Sequence, residues 1–192
     1  MALGEVRDLF ARRERGAPPP APAAALAALF DEDSEARVIL IRRAIALPRH
    51  AGEVALPGGR VEAGEGMVAT ALREAEEEVG LAAAGVEVVG WLDRVVGATS
   101  GSVVTPVVGL LGGRPQLVAE PAEVEAVFDV ALSELMGTYR QERWRIPGSE
   151  AGERAMHFFE LGEDTVWGMT ARILYQLLCE LSGRTGPPPP ER

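Results

Sequence analysis

The stretch from Gly58 to Leu81, GGRVEAGEGMVATALREAEEEVGL, constrains this chain more than any other. It opens on a glycine pair, passes through a polar loop and becomes an amphipathic helix carrying Glu74, Glu76, Glu77 and Glu78. At about 100° per residue, Val68, Leu72, Ala75 and Val79 share a face that can pack on a core. Glu74, Glu77 and Glu78 fall together on the opposite side, and Glu76 points elsewhere. Like charges spaced i, i+3 and i+4 repel and destabilise a helix. A hard divalent cation reverses that sign, because Mg²⁺ or Mn²⁺ takes oxygen ligands and keeps bound water. Arg73 stands beside these glutamates, and Glu65 precedes it by eight residues; the two can pair across the loop and hold its geometry. A glutamate-rich helix is more often a solvated face, so the spacing around it decides between the readings.

Counted from Gly59, five residues precede Glu65, and seven more precede the pair Arg73-Glu74. Ala75 and one free position lead to Glu77-Glu78, and one free position leads to Gly80 and the apolar Leu81. This spacing resembles the Nudix box, with every fixed position filled. The resemblance implies a loop–helix–loop that binds a divalent metal, Mg²⁺ or Mn²⁺, and hydrolyses a nucleoside diphosphate linked to a further group X. It implies metal ligands at Gly58 or Gly59, through a carbonyl, and at Glu74, Glu77 and Glu78. It also implies an α/β/α sandwich with a mixed β-sheet between helices. A non-catalytic nucleotide-binding module of the same fold is the alternative from another class; such modules typically lose box glutamates, and here all are present.

The order of the remaining segments agrees with an α/β or α+β fold. Leu3, Val6, Leu9 and Phe10 have helical spacing, and the Pro-rich stretch after Gly16 makes a stiff connector. Ala23–Phe30 reads as another helical turn or two, so residues 1–30 are expected to pack as an N-terminal helical segment and connector on a single domain of residues 31–184. Residues 37–43, RVILIRR, read as a buried strand, and Pro48 and Gly52 make the following segment an irregular connection. Residues 86–96 and 102–111 read as two strands joined by a turn, the second apolar enough to be central. Residues 123–130 alternate as a half-exposed strand, 131–136 form a short helix, and 138–146 with 155–161 form a hairpin. Residues 169–181 have helical spacing and end at Gly183, and residues 185–192 are expected to be a disordered tail.

With 192 residues the chain can bury a substantial core. A net charge of −10 argues against a broad nucleic-acid surface, and no apolar run approaches the ~18 residues of a membrane span. The single cysteine, Cys179, excludes an internal disulfide and fits a reducing cytoplasm; among leucines it reads as a buried hydrophobe. His157, flanked by Met156 and Phe158, reads as structural. Association as a monomer or a homodimer is equally compatible with the sequence.

Against this acidic background, Arg37, Arg42, Arg43, Arg49 and Arg60 face only Glu53 between residues 37 and 60. Such a cluster suits a phosphorylated small-molecule substrate. The segment Leu47–Gly59, LPRHAGEVALPGG, resembles the signature that leads into the box in the coenzyme A pyrophosphatase branch, although Pro48 interrupts it and Leu56 replaces the usual Phe. Val166–Leu174, VWGMTARIL, resembles the segment that opens the last helix in that branch. The resemblance implies hydrolysis of coenzyme A, or its derivatives, to 4′-phosphopantetheine and 3′,5′-ADP; ADP-ribose or another nucleoside diphosphate derivative is the alternative. Arg42, Arg43, Arg49, His50 and Arg60 are the candidate substrate ligands. Arg73 is expected to orient Glu74. For the catalytic base, Glu74, Glu120, Glu123 and Glu125 all remain open.

Overall fold

The computed structural model describes residues 2–12, 16–97, 101–145 and 152–183. The tail expected to be disordered and the apex of the hairpin loop lie outside the described residues.

The centre of the fold is β1, Ala23–Glu32, the segment read above as helical. It is a strand buried on both faces: Ala24, Leu26, Ala28 and Phe30 point to one side, and Ala25, Ala27 and Leu29 to the other. A run apolar at every position shows no period of two, and alanine favours helices in isolation; pairing on both edges overrides that preference. β1 is antiparallel to β2, Glu35–Arg43. It is parallel to β7, Val103–Leu111, which confirms the central place expected for that apolar run. The boundary drawn between residues 30 and 31 therefore falls inside a strand, and the chain joins the sheet from Ala23 onward.

β3 (Val54–Ala55) and β8 (Val124–Ala131) flank β2, β4 (Gly58–Arg60) pairs with β1, and β5 (Val86–Trp91) and β6 (Val95–Val96) pair with β7. The single strand expected over 86–96 is thus two, broken at residues 92–94. Only the β1–β7 pair is parallel, so the eight-stranded sheet is mixed.

Helix α2, Met67–Val79, covers one face through Met67, Ala71, Ala75 and Val79, with Val68 and Leu72 half-buried at its border. The apolar face is rotated from the one the sequence suggested, and this rotation takes Glu78 inward. Helices α1 (Leu3–Ala11), α3 (Leu132–Thr138) and α4 (Gly168–Ser182) cover the other face, completing an α/β/α sandwich. The hairpin β9 (Tyr139–Arg145) and β10 (Glu153–Leu161), with β11 (Asp164–Val166), makes a separate antiparallel sheet that delivers the chain to α4. Arg42 of β2 ties this second sheet to the first by two bonds to Asp164, at 3.1 and 2.6 Å.

Candidate active site

β4 places the glycine pair against β1, with Gly58 opposite Ala25 and Gly59 opposite Ala24. A Cβ on Gly58 would lie 2.6 Å from Ala25 Cα, and one on Gly59 would run into the Glu74 carboxylate. The glycine strand and the box helix therefore touch without side chains between them. The Gly58 N–H donates to Glu78 Oε2 at 2.9 Å, fixing one end of that carboxylate. Gly80, at φ 68, ends α2 in the left-handed conformation that glycine takes without strain.

The expected clamp is present. Arg73 donates to Glu65 through Nε at 2.9 Å and Nη2 at 3.2 Å, to Glu77 at 2.7 Å and to the Arg60 carbonyl at 3.0 Å. It also lies 3.0 Å from Glu74 Oε1. The Arg73 guanidinium, the Glu62 N–H and the Thr70 hydroxyl pull Glu65 down to about 2. One arginine thus joins the loop, the box helix and the strand end.

Glu74 and Glu78 are the carboxylates the fold turns toward the glycines. Burial raises both; Glu78 is pushed up to about 7, with repulsion from Glu74 and Glu123 adding to burial and the Gly58 N–H and Arg43 opposing it. Glu123 also repels Glu74, so its charge is felt at both site carboxylates. Two backbone bonds explain its position: the loop after β7 runs back over the end of α2, with Val118 N–H on Val79 O at 3.0 Å and Glu120 N–H on Glu78 O at 2.9 Å. These bonds satisfy helix-end carbonyls, and the Glu123 carbonyl is then held by Ala44 N–H at 2.9 Å. Glu120 caps its own turn through Ala122 N–H, and Glu125 lies 3.8 Å from Arg42.

Glu77, expected as a ligand, is exposed and turned to Arg73. Among the described residues, no three His, Cys, Asp or Glu side chains converge closely enough to hold an ion alone. The donors that do converge are the carboxylates of Glu74 and Glu78 and the backbone of the glycine strand. A set of two carboxylates fits Mg²⁺ or Mn²⁺, which keeps several waters of its own. Burial of two mutually repelling carboxylates supplies the physical reason for a cation there.

A cavity of about 340 Å³ opens beside the glycines. Arg43, His50 and Arg60 line it, as do Gly58 and Gly59. Arg43 reaches Glu78 Oε1 at 3.5 Å, and its buried Nε has no hydrogen-bond partner among the described residues. His50 Nδ1 is 2.9 Å from Glu53 Oε2. Arg42 and Arg49 do not line the cavity: Arg42 is held by Asp164, and Arg49 is exposed. Trp167, Gly168, Met169 and Thr170, at the start of α4, close the far wall.

A mixed-sheet α/β/α sandwich that packs a glycine strand against a carboxylate helix at a cavity mouth has the architecture of a metal-assisted nucleotide hydrolase. A family model, the NUDIX domain, matches residues 19–148, and the chain belongs to the Nudix family. An uncharacterized Nudix hydrolase of Photorhabdus laumondii, NudL, is 39% identical over 142 residues, covering 73% of this chain and 74% of that one. Nudix hydrolase 22, chloroplastic, of Arabidopsis thaliana is 39% identical over 167 residues; these are 81% of this chain and 53% of the plant protein, so the match spans about half of the latter. The crystal structure of a MutT/nudix family protein from Enterococcus faecalis has the same fold, with a TM-score of 0.55 at 19% identity, covering 95% of this chain and 75% of that one. The protein is thus a Nudix hydrolase, of a family that acts on nucleoside diphosphate derivatives and generally uses divalent metal ions. Among the described residues, no helix is long and apolar enough to cross a membrane.

Proposed function

We propose that the substrate is coenzyme A or a derivative, cleaved at its diphosphate to 4′-phosphopantetheine and 3′,5′-ADP. One observation carries this reading. The two segments that resemble the coenzyme A branch lie about a hundred residues apart, yet both line the same cavity: His50, Glu53, Val54, Ala55 and Leu56 from the first, and Trp167, Gly168, Met169 and Thr170 from the second. Segments that determine substrate choice should meet where the substrate binds.

In this mechanism Glu74, Glu78 and a carbonyl of the glycine strand would hold the metal. A bound divalent cation supplies charge neutralisation at the diphosphate and a water of lowered pKa. Arg43 and Arg60 bind the phosphate oxygens and orient the scissile P–O bond. Arg73 keeps Glu74 in place and touches no substrate. Glu123, whose charge acts on both site carboxylates, accepts the proton of the attacking water on a carboxylate oxygen. The water oxygen bonds to phosphorus as the bridging P–O bond breaks, and the bridging oxygen leaves with the other phosphate.

The test is a product assay. Purified protein is incubated with coenzyme A, ADP-ribose, diadenosine polyphosphate and NADH, each with Mg²⁺ or Mn²⁺, and the products are separated by chromatography. Selective release of 3′,5′-ADP from coenzyme A is expected. AMP from ADP-ribose or NADH, with coenzyme A untouched, would replace the substrate and keep the chemistry. No turnover of any of them would favour a binding module.

A further inference from the structure

At Gly97, Met156, Gly168 and Met169 the cavity continues into a smaller recess that the same four residues line, together with Arg154, His157 and Arg172. No carboxylate lines this recess, although the protein has 29 acidic residues and a net charge of −10. Among the described residues neither Arg154 nor Arg172 has an ion-pair partner, whereas Arg42 and Arg140 nearby are held by Asp164 and Glu160. Burial keeps His157 neutral, with the Arg172 charge acting in the same direction, so the recess carries its positive charge on the two arginines alone. Gly168 opens α4, a helix of 15 residues with no side-chain cap, so its free N–H groups add to the positive end of the recess.

The main cavity also has an apolar wall of Met156, Trp167, Met169 and Ile173, two of which, Met156 and Met169, it shares with the recess. Such a wall suits a base ring and is a poor surface for further phosphates. The main cavity therefore carries Arg43 and Arg60, and the recess that adjoins it carries Arg154 and Arg172. We infer that Arg154 and Arg172 form a second phosphate subsite, holding a phosphate carried on the ribose of the nucleoside half while the base lies against Trp167 and Met169. The inference rests on the coenzyme A reading, because the 3′-phosphate is what separates the nucleotide half of coenzyme A from that of ADP-ribose. Both residues lie outside the box; Arg172 belongs to the second branch-like segment, and Arg154 to neither.

The test uses two ligands that differ only by the second phosphate, 3′,5′-ADP and 5′-AMP, titrated calorimetrically into the full chain with Mg²⁺. A pair of charge-assisted bonds makes 3′,5′-ADP the tighter ligand by about tenfold or more. Arg154→Gln and Arg172→Gln should each bring the ratio toward one, with 5′-AMP affinity unchanged; Arg154→Lys should restore part of it. Circular dichroism of each variant controls for folding. A ratio near one in the unaltered protein, or a ratio that survives both substitutions, overturns the subsite. Because this is a binding measurement, it is independent of turnover. A high ratio without release of 3′,5′-ADP from coenzyme A would keep the subsite and reject the substrate, and the reverse result would do the opposite.

Discussion

At the scale of single residues, the two glycines of the site do different work although they are neighbours. A methyl group on Gly58 meets the backbone of Ala24 and Ala25, which cannot move without disturbing the central strand. A methyl group on Gly59 meets the end of the Glu74 side chain, which can swing away. Gly58→Ala should therefore cost on the order of 1–3 kcal/mol of stability, as overpacking does, read from denaturant midpoints. Gly59→Ala should keep its midpoint and weaken Mg²⁺ activation by on the order of 10–100-fold, read from the metal dependence of the rate. Equal loss of stability in both would contradict this division. Glu123 gives a second prediction: as the base, Glu123→Gln should lower kcat by on the order of 10²–10⁴-fold at saturating substrate and Mg²⁺. Glu125→Gln, paired as Glu125 is with Arg42, should leave kcat close to that of the natural protein.

Among elements, the box works as one clamped unit. Arg73 fastens the loop at Glu65, the helix at Glu74 and Glu77, and the strand end at the Arg60 carbonyl. Its planar fork makes several directed bonds at once, which an ammonium cannot copy. Arg73→Lys should reduce kcat at saturating Mg²⁺ by on the order of 10–100-fold with little change in melting temperature. A lysine variant of full activity would show that charge alone, and not the fork, holds the unit. The clamp was legible in the sequence because all its side chains lie within one local motif, at spacings a helix and a short loop can close. The inward turn of Glu78 was less so: helical periodicity put it on the solvent side, and packing of Met67, Ala71 and Ala75 on the sheet rotated it into the interior.

For the molecule as a whole, the second sheet and α4 meet at a buried cluster in which Tyr139 Oη lies 3.0 Å from His157 Nδ1 and Tyr175 stacks on His157 with ring centres 4.0 Å apart. Burial brings His157 down to about 4 from its ordinary 6.5. Between those values the unfolded chain binds the proton and the folded chain does not, so stability falls as pH drops from about 6.5 to about 4 and this contribution is flat above. The loss reaches at most about 3 kcal/mol. Urea unfolding at pH 7 and pH 4.5 should show a steeper loss for the natural protein than for His157→Gln; parallel losses would assign the acid sensitivity elsewhere.

The sequence by itself determined the box, its clamp, the hairpin and the last helix, because each depends on neighbours along the chain. It also marked two distant segments as related to substrate choice. Tertiary structure decided what depends on partners remote in sequence. Ala23–Glu32 became the central strand because two edges and two buried faces outweigh alanine's helix preference. Arg42 was drawn to Asp164, 122 residues away, and so left the cavity to other arginines. Glu123 comes near enough for its charge to act on Glu74 and Glu78 because backbone bonds tie the preceding loop to the end of α2. Local spacing fixes which groups can act together within one element; only the packed fold fixes which charges are neutralised, which are buried and which are left for a ligand.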